Sequence, residues 1–187
     1  MTQSTQDKQA DKAKLSNNAL QRMLQPSSIA IVGASSDLNK VSGRPLKYLL
    51  DKGYKGAIYP INPKAVDIAG VKAVPDIASL PDGVDLAVVV LPAEQIEATV
   101  LELAKKKVPV AVVFASGFGE MGAEGKATEA SLQQAAQKAG IRVLGPNCLG
   151  LFNAFNRAIA TFSQYADGEM NAGPVGFISQ SGAFGTA

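Results

Sequence analysis

From residue 29 onward the chain alternates two patterns. Apolar, strand-like runs occupy residues 29–33, 57–61, 85–91, 108–115 and 141–144. Between them, apolar residues recur at helical spacing. Leu46, Leu49 and Leu50 mark one face, with Gly53 where a left-handed cap belongs. Ile96, Val100, Leu103 and Ala104 mark a second, and Thr128, Leu132, Ala135, Ala136 and Ala139 a third, followed by Gly140. Continuous apolar strands, as opposed to alternating ones, are covered on both faces. The pattern predicts an α/β fold: a doubly wound parallel sheet of the Rossmann-like kind.

The ends of the chain read differently. Residues 1–19 are polar and predict a mobile tail, with a short helix over 18–24. After Gly150 the rhythm is lost, and 152–170 predicts short strands or an inter-domain crossover. Asn171-Ala172-Gly173-Pro174 is a break, and 175–179 predicts a new strand running into a helix at Gln180-Ser181-Gly182. The expected organisation is a tail (1–19), a binding domain (20–152), and a crossover with the start of a second domain (153–187).

Composition narrows the chemistry. With 18 basic and 16 acidic residues, the net charge of +2 is too balanced for a nucleic-acid-binding face, and aromatic residues are only 6% with no Trp. The 187 residues include no histidine and one cysteine, Cys148. That removes Ser-His-Asp triads, Cys-His dyads and most zinc sites, so no catalytic residue and no metal site are expected. No run approaches the ~20 apolar residues of a membrane span. A cytoplasmic protein without membrane contact is expected.

In an open parallel sheet, ligands bind beyond the carboxyl ends of the strands. Those ends carry Gly33-Ala34-Ser35-Ser36, Asn62-Pro63-Lys64, Leu91-Pro92-Ala93, Ser116-Gly117-Phe118-Gly119-Glu120 and Gly145-Pro146-Asn147-Cys148. The first loop offers hydroxyls, and the helix start near Ser42-Gly43 offers amides and a positive dipole end, with Lys40 and Arg44 close by. A phosphate site and an ordinary tight turn both account for it, since the strict G-x-G-x-x-G is absent. Nicotinamide-binding folds place an acidic residue near residue 64 to hold a ribose diol; Lys64 stands there instead, and an ammonium attracts phosphate. A solvated lysine is the plain alternative. The substitution points from NAD toward a more heavily phosphorylated nucleotide such as coenzyme A, although Lys64 also suits the 2′-phosphate of NADP. Phe118 reads equally as a stacking residue or as a plug between helix and sheet. A lone cysteine such as Cys148 is most often a small buried hydrophobe. The run Lys105-Lys106-Lys107 closes a helix, where cations complement the dipole.

Together these residues resemble the CoA-binding domain of NDP-forming (ADP-forming) acyl-CoA synthetases, the acid–thiol ligases related to the α subunit of succinyl-CoA synthetase. The resemblance rests on Leu24-Gln25-Pro26-Ser27-Ser28-Ile29-Ala30-Ile31-Val32-Gly33-Ala34-Ser35, on Pro60-Ile61-Asn62-Pro63-Lys64, on Gly145-Pro146-Asn147-Cys148-Leu149-Gly150, and on Gly176-Phe177-Ile178-Ser179-Gln180-Ser181-Gly182-Ala183. It implies a ligase that joins a carboxylic acid to CoA at the expense of ATP, through acyl-phosphate and phosphohistidine intermediates. It implies that Gly33, Ala34, Ser35, Ser36, Asp37, Leu38 and Lys64 hold CoA. Phe114, Ala115, Ser116 and Gly117 would follow the pantetheine arm, and Asn147 and Cys148 would lie near the thiol. Ser179, Gln180, Ser181 and Gly182 would open a helix facing the phosphohistidine, in a second, flavodoxin-like α/β ligase domain. ATP or ADP and Mg, the catalytic histidine and the remaining ligase domains or a β-type subunit are expected outside this chain, in an oligomeric enzyme. The chain alone should bind CoA and acyl-CoA without ligating. A similar region occurs in bacterial protein lysine acetyltransferases, and a non-catalytic CoA- or NADP-binding module is the other alternative.

Overall fold

A computed structural model describes residues 18–182 of the chain. The backbone is helical over 18–24 (α1) and then enters strand β1 (Ser28–Val32), helix α2 (Arg44–Asp51) and strand β2 (Ala57–Ile61). A small antiparallel hairpin follows, β3 (Asp67–Ile68) and β4 (Val71–Lys72). Then come β5 (Leu86–Val89), α3 (Ile96–Lys105), β6 (Val110–Val113), α4 (Ala123–Ala139) and β7 (Arg142–Leu144). A second antiparallel hairpin, β8 (Gly150–Asn153) and β9 (Ala158–Thr161), closes the regular structure.

The main sheet has the order β2-β1-β5-β6-β7, and every pairing in it is parallel. Ile29 lies between Ile58 and Leu86, and Ala111 between Ala87 and Val143. Strand order reverses between β1 and β5, which is where an open α/β sheet leaves a crevice. Helices α2 and α3 follow the predicted faces, whereas α4 buries Leu132 and Ala136 of its predicted face together with Gly125 and leaves Thr128 and Ala139 exposed. Gly53 and Gly140 both adopt positive φ at the helix ends.

The continuous apolar runs have a simple cause. Side chains alternate across a strand, so each run feeds two cores. Ala30, Val32, Ala87, Val89, Ala111 and Val113 pack with Ile96, Val100 and Leu103 of α3 and Leu132 and Ala136 of α4. Ile29, Ile31, Leu86, Val88, Val110 and Val112 pack with Leu46 and Leu49 of α2 and with Ala158 and Ala160 of β9. Each large aliphatic side chain so buried contributes about 1.5–3 kcal/mol of transfer free energy.

Several expectations meet a different structure. The short helix over 18–24 forms as expected; what differs is its packing, since Ala19, placed in a mobile tail, is buried. Arg22 of α1 pairs with Asp85 and donates to the Gly83 carbonyl, and Asp85 also accepts the Ser27 amide at 2.7 Å. The other tail residues, 1–17, lie outside the described residues. The connection from β2 to β5 carries the β3–β4 hairpin in place of a helix. The expected boundary at 152 falls inside β8, and β9 is wholly buried against α2. The strand expected over 175–179 is not formed: Val175 is 85% and Ile178 100% exposed, and no described strand lies beside them to complete a ladder. The helix expected from Gln180 onward is not formed over 180–182, and the rest of that expectation lies outside the described residues.

Candidate functional site

The carboxyl ends of the five parallel strands form one continuous rim, fastened loop to loop by specific contacts. At its first station, Gly33 leaves β1 with φ +84°, and its amide and that of Ala34 both donate to the Ile61 carbonyl at 3.2 and 3.1 Å. A Cβ on Gly33 would lie 2.5 Å from the Val90 carbonyl oxygen and 2.9 Å from Leu91. Only glycine tolerates both that dihedral and that approach. The first loop is thereby pressed into the crevice at the reversal of strand order.

The loop then turns on its own polar groups. The Asp37 amide donates to the Ser35 hydroxyl at 3.1 Å, the Asn39 amide to the Asp37 carboxylate at 3.0 Å, and the Ser35 amide to the Ser42 carbonyl at 3.2 Å. The amides of Ser36 and Leu38 have no partner among the described residues. The start of α2 is less open than its sequence predicts. The amides of Gly43 and Arg44 both donate to the Lys40 carbonyl, at 2.9 and 3.0 Å, and Pro45 has none to offer. Arg44 turns away to donate to the Phe162 carbonyl at 3.1 Å. Of the first-turn amides, those of Arg44 and Lys47 are engaged and Pro45 has none, so the helix start adds only the Leu46 amide to the donors of the loop.

At the second station, Asn62 joins two loops. Its side-chain NH2 donates to the Ala34 carbonyl at 2.8 Å, while its Oδ1 accepts the Lys64 amide at 2.8 Å. That Asx turn fixes the backbone of Lys64. The Lys64 side chain is exposed, and its ammonium has no partner among the described residues. An exposed cation with no countercharge, carried on a backbone tied to a loop with free amides, fits a phosphate.

The far stations are built from backbone packing. A Cβ on Gly117 (φ +102°) would lie 3.2 Å from Ala93, and the Asn147 amide donates to the Ala115 carbonyl at 2.8 Å. Gly145 packs 2.6 Å, measured to its would-be Cβ, from the Val113 carbonyl. Cys148 is partly buried, its thiol 3.4 Å from the Val113 carbonyl and 3.5 Å from that of Leu144. Burial raises its pKa above the ordinary thiol value, so it is protonated at neutral pH.

The sequence-nominated residues thus fall into three groups. Gly33, Ala34, Ser35, Ser36, Asp37, Leu38 and Lys64 share one end of the rim. Ala115, Ser116, Gly117, Asn147 and Cys148 share the other. The Phe114 ring is buried and meets Phe162 edge-on at a centroid distance of 4.8 Å, leaving only its backbone at the rim. Phe118 is 1% exposed in the core with Leu132 and Ala136; it is the plug and cannot stack on a ligand. Ser179, Gln180, Ser181 and Gly182 are exposed and remote from the sheet's hydrogen-bond ladder. The Ser181 amide donates to the Ser179 hydroxyl at 3.0 Å. Asn62 and Glu120 stand in the rim loops named from sequence but were given no role there, because their partners are backbone groups that only the tertiary fold brings close.

A hollow of about 840 Å³ lies elsewhere, at the carboxyl end of α2, lined by Asp51, Lys52, Arg157 and Glu169 among others. It is wide open. Lys52 donates to the Asp167 and Gly168 carbonyls and Arg157 to that of Met170, while the exposed Lys55 ammonium has no partner among the described residues. The rim differs in having free backbone amides on the loop that Asn62 ties to Lys64, at the point where strand order reverses.

A doubly wound domain with free amides and an uncompensated lysine on its strand-end rim belongs to the class that binds phosphorylated nucleotides. Residues 27–154 match the family of CoA binding domains, and the chain belongs to that family. It is 41% identical over 161 residues to the α subunit of acetate–CoA ligase [ADP-forming] II of Pyrococcus furiosus, covering 86% of this chain and 34% of that protein. It is 38% identical over 165 residues to acetate–CoA ligase [ADP-forming] I of Archaeoglobus fulgidus, covering 88% and 23%. Among solved structures, the dinucleotide-forming acetyl-coenzyme A synthetase 1 of Ca. Korarchaeum cryptofilum, in complex with phosphate and ADP, superposes with a TM-score of 0.82. The identity is 42%, covering 90% of this chain and 35% of that one. The chain therefore spans about a quarter to a third of the length of these relatives. Among the described residues no helix is long and apolar enough to cross a membrane.

Proposed function

We propose that this chain is the CoA-binding portion of an ADP-forming acyl-CoA synthetase. Its own task is to hold CoA along the strand-end rim. The nucleotide phosphates lie against the Gly33–Leu38 loop and Lys64, and the pantetheine arm runs past Ala115–Gly117 toward Asn147 and Cys148. The observation that carries this reading is the free Lys64 ammonium, whose backbone Asn62 anchors to the same loop that leaves the Ser36 and Leu38 amides unpaired.

The sequence contains no histidine, so a phosphohistidine carrier and the sites for ATP and Mg belong to other domains or to a β-type subunit. The chain alone binds CoA without forming acyl-CoA. Ser179–Gly182 are read as part of the contact with those domains, in a cytoplasmic, oligomeric enzyme. Cys148 lies beside the thiol end as a neutral neighbour: it has no base beside it to make it a nucleophile.

Calorimetric titration of the chain with CoA, acetyl-CoA, NAD and NADP tests the reading. Saturable binding of CoA and acetyl-CoA with no heat from NAD is the expected result. Uptake of NADP with indifference to CoA would overturn it.

A further inference from the structure

The loop after β6 resembles an anion nest that the protein fills with its own carboxylates. The Gly117 amide donates to Oε1 of Glu120 at 2.5 Å, and the Phe118 amide to Oε2 of the same carboxylate at 3.3 Å. The next amide, Gly119, donates to Oε2 of Glu129 on α4 at 3.0 Å. Three consecutive backbone donors at the ligand rim are thus each taken by a carboxylate. These bonds hold Glu120 ionised below the usual carboxylate range, the Gly117 amide contributing most.

The loop around this nest is rigid. Phe118 is buried as a plug, its carbonyl accepts the Met121 amide at 2.8 Å, and a Cβ on Gly125 would lie 1.8 Å from that same carbonyl oxygen. Gly117 is flush against Ala93. Such a turn needs no ligand to set its shape, and without Glu120 its amides would offer a phosphate the kind of cradle that backbone nests provide.

The two ends of the rim therefore differ in sign. The Gly33–Lys64 end presents free amides and an unpaired ammonium, whereas the Gly117 end presents amides already neutralised by negative charge. We infer that Glu120 is a positioning residue that fixes the direction of CoA along the rim. It closes the second anion cradle, leaving the loop to accept only the uncharged pantetheine arm and confining the phosphates to the Lys64 end. This inference rests on the CoA reading above.

The test compares wild type, Glu120→Ala and Glu120→Gln by calorimetry with CoA and with 3′,5′-ADP, the phosphorylated half of CoA. The quantity read is the ratio of their dissociation constants, which isolates the pantetheine arm. In Glu120→Ala the freed amides accept a phosphate, so 3′,5′-ADP gains a second mode of binding. The ratio of the 3′,5′-ADP to the CoA dissociation constant then falls about tenfold, the worth of one charge-assisted contact, while 3′,5′-ADP affinity at the first site is retained. Glu120→Gln, which keeps an acceptor oxygen but no charge, falls between the two. In 15N-labelled Glu120→Ala, inorganic phosphate shifts the Gly117 and Phe118 amide resonances; in wild type it does not. An unchanged ratio in the alanine variant overturns the role of Glu120, as does an equal loss for both ligands, which marks general damage. Should the alanine variant not fold, an unchanged ratio in Glu120→Gln overturns it as well. Wild type that binds neither ligand refutes the CoA reading itself, a distinct result.

Discussion

Asn62 donates its side-chain amide to the carbonyl of Ala34 at 2.8 Å, tying the end of β2 to the loop after β1. The same side chain accepts the Lys64 amide. One neutral residue thus couples the loop after β1 to the backbone of Lys64. Removing it leaves the Ala34 carbonyl without that donor, and Asn62→Ala is expected to lose about 1–3 kcal/mol of stability. Asn62→Asp is expected to be worse, because it sets a carboxylate against that carbonyl and adds negative charge beside the phosphates. Urea midpoints and CoA titrations would read the two effects; equal CoA affinity in all three proteins would show that the tie does not serve the ligand.

Lys64 makes the complementary case. Its ammonium has no partner within the described protein and its side chain is exposed, so Lys64→Ala should leave the urea midpoint within about 0.5 kcal/mol of wild type. CoA binding should weaken by about 1.5–3 kcal/mol, one charge-assisted contact, and the loss should shrink as salt is raised. A CoA affinity unmoved by the substitution at low salt would mean that Lys64 is merely solvated.

Gly33 and Gly53 offer a matched pair. Both have positive φ, +84° and +75°, but only Gly33 has atoms within reach of a Cβ, the Val90 carbonyl at 2.5 Å and Leu91 at 2.9 Å. Gly53→Ala should cost about 1–2 kcal/mol, the dihedral penalty alone. Gly33→Ala adds overpacking and should cost about 2–5 kcal/mol. Its CoA affinity should fall too, since the loop must lift out of the crevice. Denaturant unfolding of both variants checks the difference, and equal costs would refute the close-approach argument.

Much of this architecture was legible in residue pattern. The five apolar runs map onto β1, β2, β5, β6 and β7. The inner strands β1, β5 and β6 are buried on both faces and have no polar side to show, while the edge strands β2 and β7 are only partly buried. The three helices were legible because each buries one stripe. What escaped had no period to betray it. β9 is four residues long, Ala158-Ile159-Ala160-Thr161, and its burial depends on α2, more than a hundred residues earlier. The apolar pattern at 175–179 was legible yet forms no strand, since a strand needs a neighbour as well as a pattern. At the rim, small residues and Lys64 were visible as types. The pairings of Asn62 with Ala34 and of Glu120 with Gly117 were not, because polar side chains that bond to backbone leave no spacing signature.

Cys148 yields a prediction in pH. Burial raises its pKa in the folded chain, while an unfolded thiol titrates near ~8.5. The folded state therefore holds this proton more tightly than the unfolded state. Its contribution to stability is fully present below about pH 8.5 and is lost as pH rises toward the folded value. Two measurements follow. Iodoacetamide should alkylate Cys148 at pH 8 more slowly than free cysteine, because the thiolate is the nucleophile and is scarce here. Stability should also decline as pH rises above about 8.5 in wild type but stay flatter in Cys148→Ala, which carries a constant packing cost and no titrating group. The window matters: Tyr54, whose pKa burial pushes up to about 12, enters only at higher pH. Alkylation at the rate of free cysteine would show a thiol that is neither desolvated nor held protonated by the rim.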